Sequence, residues 1–228
     1  MNETNGADDQ YAPERRRART YQLLAACFAE PSDKLRDRLA DHPPATVAVD
    51  VAGLDAAMTD RKSLRLDHAK LFVGPFDLEA PPYESVYVDD ETRVMTEATE
   101  AVEAEYQRAG VDMDLSEPAD HIIPELEFVY LLVATEIEAL NAEEYEAAAH
   151  LLERQYEFLV DHLGRWVSEI AGNMREHAET EFYRLLADET QSFVEADGQL
   201  LADRLNRLET TADDFLAVLE GENTDDCG

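Results

Sequence analysis

Apolar residues recur at alternating steps of four and three along a long stretch of the C-terminal half. The stripe contains Tyr145, Ala149, Leu152, Tyr156, Leu159, Leu163, Trp166 and Ile170. This spacing places the apolar side chains on one face of an α-helix and predicts that the helix packs along its whole length. We expect Gly172 to end it. The same spacing recurs from Ile122 to Ile137 and from Phe182 to Leu205.

The periodicity also predicts the fold class. The sequence shows no sustained alternation of apolar and polar residues, which a half-buried strand would require. We therefore expect an all-α, single-domain helical bundle of about seven to nine helices. A long internal loop is expected from Gly74 to Asp90, where prolines occur and helical spacing is lost. The bundle is expected over residues 12–209, after a flexible N-terminus at 1–11 and before an acidic C-terminal tail at 210–228.

The chain is strongly acidic. Its 228 residues contain 52 Asp and Glu but 19 Lys and Arg, which gives a formal net charge of −33. Such a charge repels phosphate backbones and anionic lipids, so neither nucleic-acid binding nor membrane-surface binding is expected. No apolar run approaches the roughly 18 residues of a membrane-spanning helix. Because few of the bases are lysine, and acid-rich, lysine-poor surfaces suit molar salt, we expect a protein from a halophilic cytoplasm.

Three consecutive arginines near the N-terminus, Arg15 to Arg17, precede an apolar run and resemble a twin-arginine export signal. The run from Leu23 to Ala29 is short for the apolar part of such a signal, and Glu30 and Pro31 interrupt it. The same segment fits a helix that has Pro13 in its first turn and buries one face. A retained helix is therefore favoured over a cleaved signal.

The sequence contains no signature of a catalytic or cofactor-binding site. Glycine-rich phosphate loops, the nucleophile elbow and the HExxH zinc motif are absent. A helical bundle rich in glutamate could hold two metal ions, but that site needs Glu-x-x-His pairs, and no histidine follows a glutamate at this spacing. Cys27 and Cys227 match no metal-binding spacing and are expected to be thiols. We expect no catalytic residue, no metal ligand and no cofactor.

Two clusters are not explained by helix packing. The first joins an apolar stripe at Leu71 and Phe72 to a Pro-Pro-Tyr-Glu-Ser segment at 81–85, where rigid prolines present an aromatic ring. In the second, Asp120 and His121 precede a predicted helix, whose N-terminal dipole stabilises a carboxylate as the anion. The structural alternative for Asp120 and His121 is that they cap this helix and anchor the proline loop.

Together these clusters resemble the TorD/DmsD/NarJ family of redox-enzyme maturation chaperones. The resemblance depends on the Leu71–Pro75 segment, the Pro81–Tyr87 loop and the Glu117–His121 motif in this order, and it covers about residues 14 to 208. The proline loop is more typical of the TorD/DmsD branch than of the NarJ branch. Tyr83 departs from the family pattern, which often has Trp at this position.

The resemblance implies a cytoplasmic, non-catalytic, all-α chaperone. Members of the family bind the N-terminal leader, often a twin-arginine signal, of a molybdopterin-containing oxidoreductase catalytic subunit. They hold that subunit until its cofactor is inserted, before export. That subunit is the implied partner, and the chain would act as a monomer or as a helix-swapped dimer. The alternatives are a NarJ-type nitrate reductase assembly chaperone, a helical carboxylate metalloenzyme, and a scaffolding helical protein without a peptide ligand.

A receptor for such a leader needs carboxylates beside an apolar groove, because the leader joins arginines to an apolar helix. The predicted peptide-binding site combines the residues of the two clusters that could meet this requirement. It consists of Leu71, Phe72, Pro81, Pro82, Tyr83, Glu84, Ser85, Glu117, Asp120 and His121. We expect Glu84, Glu117 and Asp120 to supply the acids, and the apolar side chains to supply the groove.

Overall fold

The computed structural model of the protein describes residues 10–40, 49–58, 60–75, 77–88, 97–111 and 117–210. The predicted flexible N-terminus and acidic tail fall almost entirely outside the described residues. Tyr11, the last residue assigned to that N-terminus, is buried, and its hydroxyl donates a hydrogen bond to Leu140 O at 3.3 Å. Ordered packing therefore begins before residue 12.

Within the described residues the fold is all-α, without a β-strand, and forms one compact domain, as predicted. The α-helices are α1 (Ala12–Phe28), α2 (Asp33–Ala40), α3 (Val51–Ala57), α4 (Arg61–His68), α5 (Glu84–Val88), α6 (Glu97–Arg108), α7 (Ile122–Asn141), α8 (Tyr145–Phe158), α9 (Gly164–His177) and α10 (Glu181–Thr210). Two π-helical segments, π1 (Ala69–Val73) and π2 (Leu159–Leu163), extend α4 and join α8 to α9. None of the described helices is long and apolar enough to cross a membrane.

The longest apolar stripe forms one continuous helical rod, α8–π2–α9, as its spacing predicts. Trp166 and Ile170 on this rod are almost fully buried. The expectation that Gly172 ends the helix is wrong, because α9 continues to His177. Ala171 and Met174 extend the buried face on both sides of the glycine, so packing stabilises the last turns of the helix.

The expected loop from Gly74 to Asp90 contains a short helix, α5, which corrects the prediction. The first backbone N–H groups of this helix donate hydrogen bonds to a residue in a distant part of the chain. Glu84 N donates to Asp120 O at 2.9 Å, and Ser85 N donates to Asp120 Oδ2 at 3.1 Å. Because Asp120, which caps this helix, is distant in sequence, no local sequence pattern predicts the helix.

Helix α1 forms as predicted and runs through the arginine cluster. Arg17 on this helix is fully buried and donates to both carboxylate oxygens of Asp197 on α10, at 2.6 and 3.2 Å. It also donates to Gln155 on α8 at 2.7 Å. Tyr21, one turn further along α1, donates its hydroxyl to Asp197 at 2.7 Å. This buried network links α1, α8 and α10.

Asp67 on α4 fixes the position of the π1 segment. Its buried carboxylate accepts hydrogen bonds from Glu179 N, Thr180 N and Thr180 Oγ1, at distances from 2.7 to 3.1 Å. These donors lie directly before α10, so Asp67 joins the C-terminal half of α4 to the start of the last helix. The segment that follows Asp67 is thereby held against the core.

Candidate functional site

The two clusters identified in the sequence lie side by side. Tyr83 and His121 form an isolated antiparallel β-bridge, next to the Glu84–Asp120 backbone hydrogen bond. The rings of Tyr83 and His121 pack edge to face with their centroids 5.1 Å apart. The backbone therefore attaches the proline loop to the first turn of α7.

A cavity of about 800 Å³ opens beside this bridge. Its walls come from the end of α1, from α4 and π1, from the proline loop, and from the start of α7. Half of the predicted site residues line it, namely Phe72, Pro82, Tyr83, Glu117 and His121. The structure therefore brings both sequence clusters to one concave surface.

One wall of the cavity is aromatic. Phe72 on π1 packs against Phe28 with ring centroids 5.7 Å apart and is supported from behind by Tyr183 at 5.6 Å. Beyond Phe72 the chain leaves the π-helical segment at Gly74, whose φ of 92° favours glycine. π-helical turns occur frequently at functional sites, and this one presents Phe72 and the exposed Val73 to the cavity.

Two histidines line the cavity in the neutral form. His121 is the N-cap of α7, and its Nδ1 accepts a hydrogen bond from Ile123 N at 3.1 Å. Burial lowers the pKa of His121 to about 4. His68 donates from Nε2 to Phe28 O at 3.0 Å, and burial lowers its pKa as well. The structural roles considered for His121 and Asp120, a helix cap and an anchor for the loop, are therefore both present.

The remaining predicted site residues do not line the cavity. Leu71, Glu84, Ser85 and Asp120 are almost fully buried behind it, and Pro81 is half-buried in the loop. These residues support the cavity from the core side. Of the three predicted acids, the structure exposes Glu117 at the cavity and buries Glu84 and Asp120.

Glu84 belongs to a buried acid pair. It hydrogen-bonds to Glu125 on α7, and His162 Nδ1 lies 3.1 Å from Glu84 Oε2. Trp166 Nε1 donates to Glu125 Oε2 at 3.2 Å. Burial, followed by the charge of Glu84, raises the pKa of Glu125 well above its usual range. The protonated form of Glu125 is therefore favoured by the fold.

Sequence reasoning missed three charged residues of the cavity. Glu30 follows α1, Arg65 is on α4, and Glu127 is on α7. Arg65 donates to Glu30 from Nε at 2.7 Å and also from a terminal nitrogen. Partial burial raises the pKa of Glu127. No local pattern separates these side chains from other charges of so acidic a chain.

A metal centre finds no support in the described part of the chain. No group of three or more His, Cys, Asp or Glu side chains could hold a metal ion among residues 10–210, leaving aside the gaps in the description. Cys27 is a free thiol, as expected, and burial raises its pKa to about 12. Cys227 lies outside the described residues.

Comparison with curated proteins gives two kinds of relative. A TorD chaperone from Shewanella pealeana is 27% identical over 216 residues, covering 83% of this chain and 91% of the relative. A Tat proofreading chaperone DmsD from Salmonella paratyphi A is 29% identical over 119 residues, covering 51% of this chain and 52% of that protein.

A solved structure and a family model complete the comparison. A protein from Archaeoglobus fulgidus, proposed to be a redox enzyme maturation protein, has a similar fold with a TM-score of 0.55 at 21% identity. The structural match covers 78% of this chain and 93% of the Archaeoglobus fulgidus chain. The family model described as nitrate reductase delta subunit matches residues 22–172, more than half of the chain. The chain therefore belongs to the nitrate reductase delta subunit family, the TorD/NarJ family that its sequence motifs predict.

Proposed function

We propose that this protein is a cytoplasmic, non-catalytic maturation chaperone of the TorD/DmsD branch. Its client would be the catalytic subunit of a molybdopterin-containing oxidoreductase, which it holds during cofactor insertion and before export. The names of the relatives support this class, since one is a TorD chaperone and the other a Tat proofreading chaperone. The cavity would bind the N-terminal leader of the client.

The observation that carries the proposal is the combination of an apolar wall with a carboxylate rim. Tyr83 and the exposed Val73 offer apolar surface, and the largely buried rings of Phe28 and Phe72 complete this wall. Glu117 and Glu127 offer exposed carboxylates around the same cavity. A twin-arginine leader has the complementary chemistry, because it joins guanidinium groups to an apolar helix. Both histidines of the cavity are neutral and so do not repel this cation.

The apolar wall should supply more of the affinity than the rim. In molar salt the screening length falls to about 3 Å, so exposed charge pairs lose much of their attraction. Burial of apolar surface does not weaken in this way, and salts that are excluded from protein surfaces strengthen it. The leader should therefore depend on its apolar stretch under the conditions that suit this acidic chain.

Substitution of Tyr83 tests the location of the site. Tyr83→Ala should weaken binding of a synthetic leader peptide by at least about tenfold, equivalent to about 1.4 kcal/mol, as measured by calorimetry in molar salt. Tyr145→Ala is the matched control, since Tyr145 is a partly exposed tyrosine at the start of α8 outside the cavity.

The melting midpoint of each variant must be measured beside its affinity. Tyr83 packs on His121, so a loss of binding counts as recognition when the variant stays folded at the assay temperature. Equal affinity of folded Tyr83→Ala and wild type would place the leader elsewhere on the surface.

A further inference from the structure

The ion pair between Arg65 and Glu30 lies at the rim of the cavity. Arg65 projects from α4, and Glu30 lies two residues after the end of α1. Both side chains are about half exposed, at 53% and 61%. Nε and a terminal nitrogen of Arg65 both donate to the same oxygen of Glu30, Oε1. The guanidinium therefore does not bind the carboxylate through both of its oxygens.

This arrangement resembles the contact that a leader arginine would make. A guanidinium pairs best with a carboxylate through two parallel hydrogen bonds, one to each oxygen. Arg65 achieves less than this, and an exposed ion pair contributes little to stability, so it can open at small cost. Glu117 and Glu127 line the same cavity and make its charged surface net negative.

We propose, building on the function proposed above, that Glu30 is the carboxylate that accepts a leader arginine and that Arg65 occupies this position in the free protein. Arg65 is then an internal competitor that sets the specificity of the cavity. A ligand that brings its own arginine replaces Arg65 at Glu30, and a ligand without one leaves the internal pair closed. The occupant is an arginine-bearing peptide, indicated by the complementary charge of the rim.

Helix α4 provides a matched control. Arg61 lies one turn before Arg65 and pairs with Asp33, and these side chains are also exposed, at 51% and 88%. Neither Arg61 nor Asp33 lines the cavity. Arg61→Gln and Arg65→Gln therefore remove the same charge and a similar surface ion pair from the same helix, but Arg65→Gln alone frees a carboxylate at the rim.

The experiment measures binding of a labelled leader peptide with an arginine pair, by fluorescence anisotropy at one fixed salt concentration. Arg65→Gln should bind this peptide several-fold more tightly than wild type, and Arg61→Gln should bind like wild type. Glu30→Gln should bind it several-fold more weakly. A peptide with both arginines replaced by glutamine should show no gain with Arg65→Gln.

The outcomes separate this inference from the function beneath it. If wild type binds the peptide and the Arg65 and Arg61 variants change its affinity equally, the change comes from the net charge of the surface. The internal competition by Arg65 is then overturned, while the proposed leader-binding function stands. If no variant binds the peptide, both are overturned. Binding by Arg65→Gln where wild type binds weakly or not at all would support internal competition most directly.

Discussion

Removal of one partner from the buried pairing of Arg17 with Asp197 should be among the most destabilising single substitutions in this fold. The guanidinium is fully buried, donates to both oxygens of Asp197, and receives further support from Gln155. Asp197→Ala removes this carboxylate and also the acceptor of the Tyr21 hydroxyl. The buried guanidinium of Arg17 then keeps an ion pair with the Glu136 carboxylate, at 4.0 Å.

Breaking a buried ion pair by removing one partner costs about 3–5 kcal/mol. We expect Asp197→Ala and Arg17→Met each to cost this much, a large part of the roughly 5–15 kcal/mol that stabilises a typical domain. The double variant removes both charges, so it should cost less than the two single costs combined by about 2 kcal/mol or more.

Equilibrium urea unfolding at neutral pH and molar salt, followed by circular dichroism, measures these free energies. The exposed Arg61–Asp33 pair serves as the control cycle, in which coupling should be close to zero. Single variants that cost less than about 1 kcal/mol, or a double variant that is additive within about 0.5 kcal/mol, would refute the reasoning.

Three further predictions concern pH and salt. Because the fold raises the pKa of Glu125, its contribution to stability is fully present below the ordinary glutamate pKa and is lost as pH rises through the raised value. Glu125→Gln, which has no titratable proton, should therefore make the urea midpoint less sensitive to rising pH, and an unchanged pH dependence would contradict this. Burial lowers the pKa of His121 from 6.5 to about 4, so its contribution is present above pH 6.5 and is lost as pH falls through about 4. His121→Asn keeps a capping side chain that does not titrate and should reduce the loss of melting temperature between pH 7 and about pH 4, while an equal loss in both proteins would count against the assignment. With a net charge of −33, the melting temperature should fall between molar and about 0.05 M salt, and an unchanged value would refute the expectation of a halophilic protein.

Helical periodicity predicted the framework because it reports burial directly. The stripe from Tyr145 to Ile170 buries one face of a continuous helix through α8, π2 and α9. Gly172 does not end the helix as expected, because a glycine ends a helix when the buried face ends with it, and here Met174 continues that face. Helix α5 was missed since Asp120, 35 residues beyond Ser85, provides its cap.

The two sequence clusters of the candidate site were predictable, but which of their side chains line the cavity was not. The motifs around Tyr83 and His121 do meet, through a backbone bridge that no sequence pattern shows. Sequence alone could not distinguish a carboxylate that faces solvent from one that faces the core. Glu84 was expected at the peptide, and it instead pairs with Glu125 inside the protein. Glu30 was overlooked, although it lies at the rim of the cavity.

Titration of the wild-type protein with two leader peptides tests the central claim most directly. One peptide carries an arginine pair and an apolar stretch, and the other has the same arginines with the stretch replaced by Ser and Gly. In molar salt, calorimetry should show binding of the first peptide and at least about tenfold weaker binding of the second, because we expect the apolar wall of the cavity to supply more of the affinity than its carboxylate rim. Equal affinity for the two peptides, or no binding of either, would contradict the account of the cavity as a leader-binding site.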